Sequence, residues 1–429
     1  MVIAAPVFLF LFGLVHADWI PRKLGVAPDA IPFGVLNVVL LLGLALWLFG
    51  LARGGAEKNP VRSYGWFVAV VALWVVVGLL FGYEADAATT LRTAKAQVAL
   101  LLVYFIPLAL IKNERQFVAV FEAALLVHFL VGLEVMRSGV LGGVHFNDMK
   151  RGSGPFGEAW RGSDIAGAYL AQMLMLCVGT ILGRPKRFVL LVLCGAAAGA
   201  TLLGLYATYS RGALLSLAVG GILMMLAKRL NWQVVVAVLA LGTVGFWLIP
   251  GGSIVRLSGT VGPEDRLDPS SRGRIAYYDV ALNIAASHPL GVGTGQIRSA
   301  MMAYMGAAGQ DAKYVDPHNA FLQVLCEQGV IGLALFVACL WGFLRVAIRN
   351  ARAAPGGSPV YGSYSLGMIG FLGAFLACNM FYANFHKELV MGAITWHLGM
   401  LAVAARIGAS NRGESAASGC RTCPASAVR

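Results

Sequence analysis

Apolar residues come in runs along this chain, most of them about 20 residues long and divided by short polar connections. The runs fall near 2–15, 31–52, 64–82, 94–111, 117–135, 164–183, 188–208, 212–227, 232–250, 320–344, 362–382 and 388–405. A helix of about 20 residues crosses a hydrocarbon core of roughly 30 Å. The runs are too long and too evenly apolar for barrel strands, and an open strand in lipid would leave its backbone groups unpaired. The pattern predicts an all-α polytopic membrane protein of about 12 transmembrane helices. Helices one to nine occupy residues 1–250, a long loop with short helices of its own takes 251–317, and helices ten to twelve lie within 318–406, followed by a disordered tail at 407–429. The first run is short, lacks a basic n-region and ends in Val15-His16-Ala17, which resembles a signal-peptidase site. Cleavage there would leave the sidedness of every later loop unchanged.

Composition agrees with the pattern. With 59% hydrophobic residues, 12% charged and a mean hydropathy of +0.75 over 429 residues, the chain has too little polar surface to cover a soluble globule. A net charge of +13 raises the question of nucleic acid, and its distribution answers it. Alternate connections are short and basic: Arg53, Lys58 and Arg62; Lys112 and Arg115; Arg184, Lys186 and Arg187; Lys228 and Arg229; Arg345, Arg349 and Arg352. With the tail, that set holds 17 basic residues against three acidic ones, whereas the other connections hold 16 against 14. By the positive-inside rule the first set is cytoplasmic, as are both termini, and no nucleic-acid partner is needed. Cys177, Cys194, Cys326, Cys339 and Cys378 sit in apolar runs as small hydrophobes, and the Cys420/Cys423 pair in the tail has no second ligand pair.

The opposite face therefore carries the stretch 136–163, the turn Tyr209-Ser210-Arg211-Gly212 and the 67-residue loop 251–317. A loop that long, in a chain this economical with polar residues, is where function is expected. Within it, Ser270-Ser271 ahead of Arg272, Arg274, Ile275, Tyr278, Leu282 and Ala285 predicts an N-capped amphipathic helix that ends at His288-Pro289. Gly291-Val292-Gly293-Thr294-Gly295 follows; a phosphate cradle and a plain breaker both fit, and the breaker is the simpler reading. Met301, Met302, Tyr304 and Met305 fit either the membrane surface or the bundle, and core packing is the simpler reading.

The sharpest constellation is Asp316-Pro317-His318-Asn319, where the loop re-enters the membrane. Asp316 as N-cap and Pro317 at N1 would put His318 in the first turn of the tenth helix. The helix dipole disfavours imidazolium there while Asp316 pulls the other way, and a mostly neutral histidine suits a general base; an interfacial histidine that only packs is the alternative. Asn319, Gln323 and Glu327 recur at i, i+4, i+8 as one polar stripe, which must face protein or water. Glu327 reads as a partner for an arginine such as Arg211 in preference to a proton relay, and Glu122, His128 and Glu134 read as bundle-facing glue. Arg211, Arg151, Arg161, Arg272, Arg274 and Lys387 supply the outer face with cations, a combination that suits an anionic, lipid-linked substrate.

These residues resemble the O-antigen ligase and polymerase superfamily. The resemblance rests on Tyr209-Ser210-Arg211-Gly212-Ala213, on Arg274-Ile275 followed by His288-Pro289-Leu290-Gly291-Val292-Gly293, and on Pro317-His318-Asn319 with Gly329 and Gly332. The ligase spacing of His-Asn, nine residues, Gly, two residues and a small residue is met by 320–328, Gly329 and Gly332. The resemblance implies a glycosyltransferase C-like enzyme of the Gram-negative inner membrane with a periplasmic active site. Its donor would be O-antigen on undecaprenyl diphosphate and its acceptor a hydroxyl of the lipid A core oligosaccharide, transferred with inversion and without metal or other cofactor. His318 would be the general base, Arg211 and Arg274 (or Arg272) would hold the diphosphate, and Asp316, Asn319 and Glu327 would support them. The nearest carboxylate pair for a metal, Glu84 and Asp86, reads as an ordinary polar loop. An O-antigen polymerase and a protein O-oligosaccharyltransferase stay open within the superfamily, and a secondary transporter or flippase stays open outside it; against transport stands the lack of an evident repeat.

Overall fold

The computed structural model describes residues 4–15, 60–83, 87–141, 151–157, 159–228, 269–307, 317–353, 360–381 and 388–420, with positions 41 and 45. Over these residues the chain is helical and forms no strand. In order the helices are α1 (Ala4–Val15), α2 (Arg62–Phe81), α3 (Ala87–Leu102), α4 (Phe105–Leu110), α5 (Glu114–Leu141), α6 (Ala159–Leu182), α7 (Phe188–Thr208), α8 (Arg211–Lys228), α9 (Pro269–Ser287), α10 (Ile297–Ala307), α11 (Ala320–Ala353), α12 (Val360–Asn379) and α13 (Glu388–Cys420). Among the described residues 8 helical spans are long and apolar enough to cross a membrane, one of them formed by α3 and α4 together, and α8 is a shorter apolar helix. The chain is a polytopic helical membrane protein. Ten of the twelve predicted segments carry helices, while 31–52 (apart from positions 41 and 45), 232–250 and the first part of the long loop lie outside the described residues. The first segment, α1, packs with Val7 and Leu11 buried and Phe10 5.7 Å from Trp396.

Close approaches between helices occur at small residues, as expected where lipid provides no hydrophobic drive for association. A Cβ on Gly179 would lie 2.5 Å from Gly367, one on Gly183 2.5 Å from Ser363 and one on Gly373 2.8 Å from Gly220. The same contacts fix which helix ends lie together. At one end, Arg352 Nε donates to the Ala227 carbonyl (2.8 Å), Arg406 to the Leu108 and Ile111 carbonyls, and Arg187 to both oxygens of Glu122 (2.7 and 3.2 Å). Cations on helix C-termini are favourable placements, and this is the end that carries the short basic connections. At the other end lie the Tyr209 turn, the start of α11 and the end of α12, where Cys378 meets Ser216 (2.9 Å).

Of the polar residues predicted as glue, His128 and Glu122 bond across segments, whereas Glu134 pairs within its own helix. His128 Nδ1 meets the Tyr169 hydroxyl (2.6 Å), its Nε2 meets His397 Nε2 (2.9 Å), and His397 Nδ1 meets the Tyr364 hydroxyl (3.0 Å), all buried. Tyr364 donates to the His397 carbonyl (3.1 Å), so it accepts from His397 Nδ1; proton counting then makes His397 Nε2 the acceptor from His128, and His128 Nδ1 the acceptor from Tyr169. Four helices are joined without a charge. Glu122 pairs with Arg187, and Glu134 with Arg137 (2.6 Å).

Candidate functional site

The end opposite the basic connections is built around a break in α11. At Gly329 the backbone leaves helical geometry (φ 67, ψ −167), a region open only to glycine at low cost. The break frees backbone groups inside an apolar span, and such groups need partners from protein. The glycine-rich loop supplies them: Val292 N donates to Cys326 O (2.8 Å), Gly293 N to Glu327 O (3.0 Å), and Val330 N donates to Pro289 O (3.0 Å). Gly293 has φ 103, and a Cβ there would lie 2.2 Å from Gly78 Cα. Thr294 ties the loop to α2, its amide to Trp74 O (3.0 Å) and its hydroxyl to Val71 O (2.8 Å), and Gln296 ties it to Thr90 of α3 (2.8 Å).

The loop is therefore not a phosphate cradle. Gly291 N donates to His288 O, Thr294 N to Trp74 O and Gln296 N to Gly293 O, while Gly295 N and Ile297 N turn to Glu327 Oε1 (3.2 and 3.4 Å). Every amide from 291 to 297 is engaged within the protein. Nor is the loop a plain breaker, because it docks on three helices. Glu327, fully buried, places its carboxylate at the N-terminus of α10, where the helix dipole favours a negative charge. Gln328 Nε2 donates to Glu327 Oε2 at 3.4 Å.

The helix start at Asp316-Pro317 is also corrected. Asn319 is the cap: its Oδ1 accepts from Phe321 N (2.9 Å) and Leu322 N (3.2 Å), its carbonyl accepts from Gln323 N (3.0 Å), and α11 begins at Ala320. His318 sits just outside the helix in a left-handed conformation (φ 46), half-buried, and Asp316 lies outside the described residues. A Pro at position 317 suits N1, but a carboxamide two residues later competes for the same role and wins.

Helix α9 closes on this turn. It runs Pro269–Ser287, so the helix ends at His288 as predicted but takes Ser270-Ser271 inside rather than as its cap, and it buries Ala281 and Ile284 while the expected apolar positions Ile275 and Leu282 are exposed. Its Tyr277 ring lies 5.9 Å from the His318 ring at a tilt of 32°. The Tyr278 hydroxyl donates to the Met380 carbonyl at the end of α12 (2.7 Å). Burial raises the Tyr278 pKa, while the Arg274 charge and the Asn319 side chain pull it back down. Arg274, one turn earlier on the same helix, is half-buried and within electrostatic reach of that hydroxyl. The sequence marked Tyr278 as an apolar helical position, and the Tyr277-Tyr278 pair only as the part of the superfamily pattern that follows Arg274-Ile275. Beyond the pair, Met301 and Met305 are buried with Ile284, Val292 and Cys326, as expected, whereas Met302 is exposed.

At the same end, Arg211 is the first residue of α8 and half-buried, presented by Tyr209 in the left-handed conformation (φ 50) and by Ser210, whose carbonyl accepts from Leu214 N (3.3 Å). Arg151 is not available to a ligand in this arrangement. It is buried, its Nε donates to Thr208 O (2.7 Å) and its guanidinium pairs with Asp164, so it holds the turn that presents Arg211. The side chains of Arg161 and Arg272 lie outside the described residues, as do Lys387, Glu84 and Asp86.

Residues 196–337 match the family model for O-antigen ligase. A search of curated proteins found no match. The matched stretch takes in Arg211, Arg274, the glycine-rich loop, His318 and the break at Gly329, so residues 196–337 are similar to the O-antigen ligase family.

Proposed function

We propose that this protein is a glycosyltransferase that moves O-antigen from undecaprenyl diphosphate to a hydroxyl of the lipid A core oligosaccharide, at the periplasmic face of a Gram-negative inner membrane. One observation carries the reading: α9, which carries Arg274, packs Tyr277 on His318 at the bundle end opposite the basic connections and within the O-antigen ligase match. With the basic end cytoplasmic by the positive-inside rule, both termini lie inside, the site faces the periplasm and the full count is about 12 helices. In this scheme residues 251–317 form the periplasmic loop and 407–429 a cytoplasmic tail, which continues α13 as far as Cys420 instead of being disordered from 407 as expected.

The chemistry follows from the groups present. His318 takes the proton of the acceptor hydroxyl as that oxygen bonds to the anomeric carbon of the donor sugar, and the bond from that carbon to the phosphate oxygen breaks on the opposite side. The anomeric centre inverts, and undecaprenyl diphosphate leaves with its new negative charge held by Arg211 and Arg274 through guanidinium forks. His318 outside the helix, half-exposed and beside an aromatic ring, can receive a substrate hydroxyl. No step calls on a metal ion. Polymerisation and transfer to protein hydroxyls use the same donor chemistry, and the acceptor distinguishes them.

The test is transfer by the purified full chain in detergent, given undecaprenyl diphosphate-linked O-antigen and lipid A core, with and without EDTA. Transfer in both conditions is expected. Loss on chelation would sink the metal-independent mechanism, and product made only by extending the donor polymer would favour the polymerase.

A further inference from the structure

We infer that Asp164 and Arg151 are positioning residues for the donor, a buried pair that fixes the direction of Arg211; the inference rests on Arg211 holding the diphosphate, as proposed above. The geometry begins at the end of α7. The last four carbonyls of a helix lack donors within it, and here each has found one. The Thr208 hydroxyl donates to Leu205 O (2.7 Å) and Tyr209 N to Tyr206 O (3.2 Å). The chain at 151–154 supplies the other two, with Gly152 N on Ala207 O (2.8 Å) and Arg151 Nε on Thr208 O (2.7 Å). A cation is well placed at a helix C-terminus. The other side of the same guanidinium meets Asp164 of α6 (2.5 Å), while Ser138 of α5 accepts from Ser153 N (3.1 Å) and Gly154 N (2.9 Å). Helices α5 and α6 therefore both hold the end of α7.

What they hold is strained. Tyr209 has φ 50, a left-handed conformation that a residue with a Cβ keeps only where its surroundings enforce it. Ser210 follows, buried, with its amide on Thr208 Oγ1 (3.3 Å), and a Cβ on Gly167 of α6 would lie 2.8 Å from its Cβ. Arg211 is the next residue and opens α8, three positions after the carbonyl that Arg151 caps. The Arg151 side chain is 3% exposed and bonded within the protein on both sides, so its part is to aim Arg211 and not to touch the donor. A clamp on a leaving group loses its effect steeply with small misplacement.

Asp164→Ala is the informative change, because Arg151 Nε still caps Thr208 while the other half of its guanidinium loses its anchor. The expected result, in the transfer assay with undecaprenyl diphosphate-linked donor, is a donor KM raised about threefold to tenfold with the acceptor KM unchanged. Asp164→Asn keeps an oxygen acceptor in place and should recover most of the loss. In an Arg211→Lys background the Asp164→Ala effect should largely vanish, because the pair acts through Arg211. Thermal unfolding in detergent is followed for every variant. A lowered unfolding temperature with an unchanged donor KM would make the pair purely structural and overturn the inference. Additive effects in the Arg211 cycle would overturn it too, since they are the signature of a second direct ligand. Arg211→Lys alone tests the reading underneath: an unchanged donor KM there removes the diphosphate clamp and the inference with it. A raised donor KM in Arg211→Lys beside an unchanged one in Asp164→Ala defeats the inference alone.

Discussion

The two halves of α11 are one helix in sequence and two different objects in the bundle. Residues 320–328 bury Gln323, Glu327 and Gln328 and end in the break at Gly329. Residues 330–353 expose Val330, Ile331, Val337 and Trp341 while burying Phe336, Phe343 and Val346, the distribution of a helix with one face to lipid. The polar half is tolerated because a loop docks on its freed backbone and because its carboxylate meets the start of α10. The apolar half needs no such support. The lesson is that the site was built by interrupting a span and refilling the gap with chain from the long loop, which places His318, Glu327 and the loop in one mechanical unit.

The strongest way to break the comparison is at the site itself. His318→Ala should lower transfer by about 10²–10⁴-fold while leaving thermal unfolding close to wild type, because the residue lies outside the helix and Asn319 does the capping. Near-full activity would leave the polar half a purely structural insert.

The contrast was only partly legible in the sequence. Length and apolarity announce a span over 320–344, and they do so whether or not the backbone continues, so the break at Gly329 was invisible to hydropathy; Gly329 registered only as part of a motif. Capping chemistry was ambiguous, since Asp316-Pro317 and Asn319 both carry start signals and only tertiary placement decides between them. Glu327 was seen as an anion needing a partner. Its partners include backbone amides 30 and 32 positions earlier, which no local pattern encodes. By contrast the existence of α9, its end at His288 and the Tyr209 turn follow from local rules, although the cap at Ser270-Ser271 and the buried face of α9 do not match the expectation.

The next effect down is on the docking of the loop. Gly293→Ala would set a Cβ 2.2 Å from Gly78 Cα at a positive φ, so α2 and the loop must separate. A loss of about 2–4 kcal/mol is expected, from overpacking together with left-handed strain, visible as a lowered unfolding temperature in detergent. Activity should fall with it, because Glu327 and the start of α11 are held by the same loop. Unchanged stability would mean that α2 yields at Gly78 and that the docking is loose.

Glu327→Gln asks whether the polar half needs its charge. The amide retains an acceptor for Gly295 N and Ile297 N but gives up the carboxylate at the α10 N-terminus, at a cost of about 1–2 kcal/mol. Stability and activity should decline together and modestly. A collapse of activity at wild-type stability would move Glu327 from anchor to proton acceptor and revive the relay.

The smallest effect belongs to the other half and is the control on the whole comparison. Val337 is 49% exposed on the apolar half of α11, where an added methylene meets lipid rather than packed protein. Val337→Leu should therefore shift stability by less than about 0.5 kcal/mol and leave the donor KM unchanged. The same single-methylene scale of change at buried Val324, on the polar half and next to Gln323, would be felt as overpacking of about 1–3 kcal/mol. Measuring Val337→Leu and Val324→Leu side by side, by thermal unfolding and by transfer, reads the difference between the halves directly. Equal responses would show that both halves sit in the same environment, and the division at Gly329 would lose its meaning.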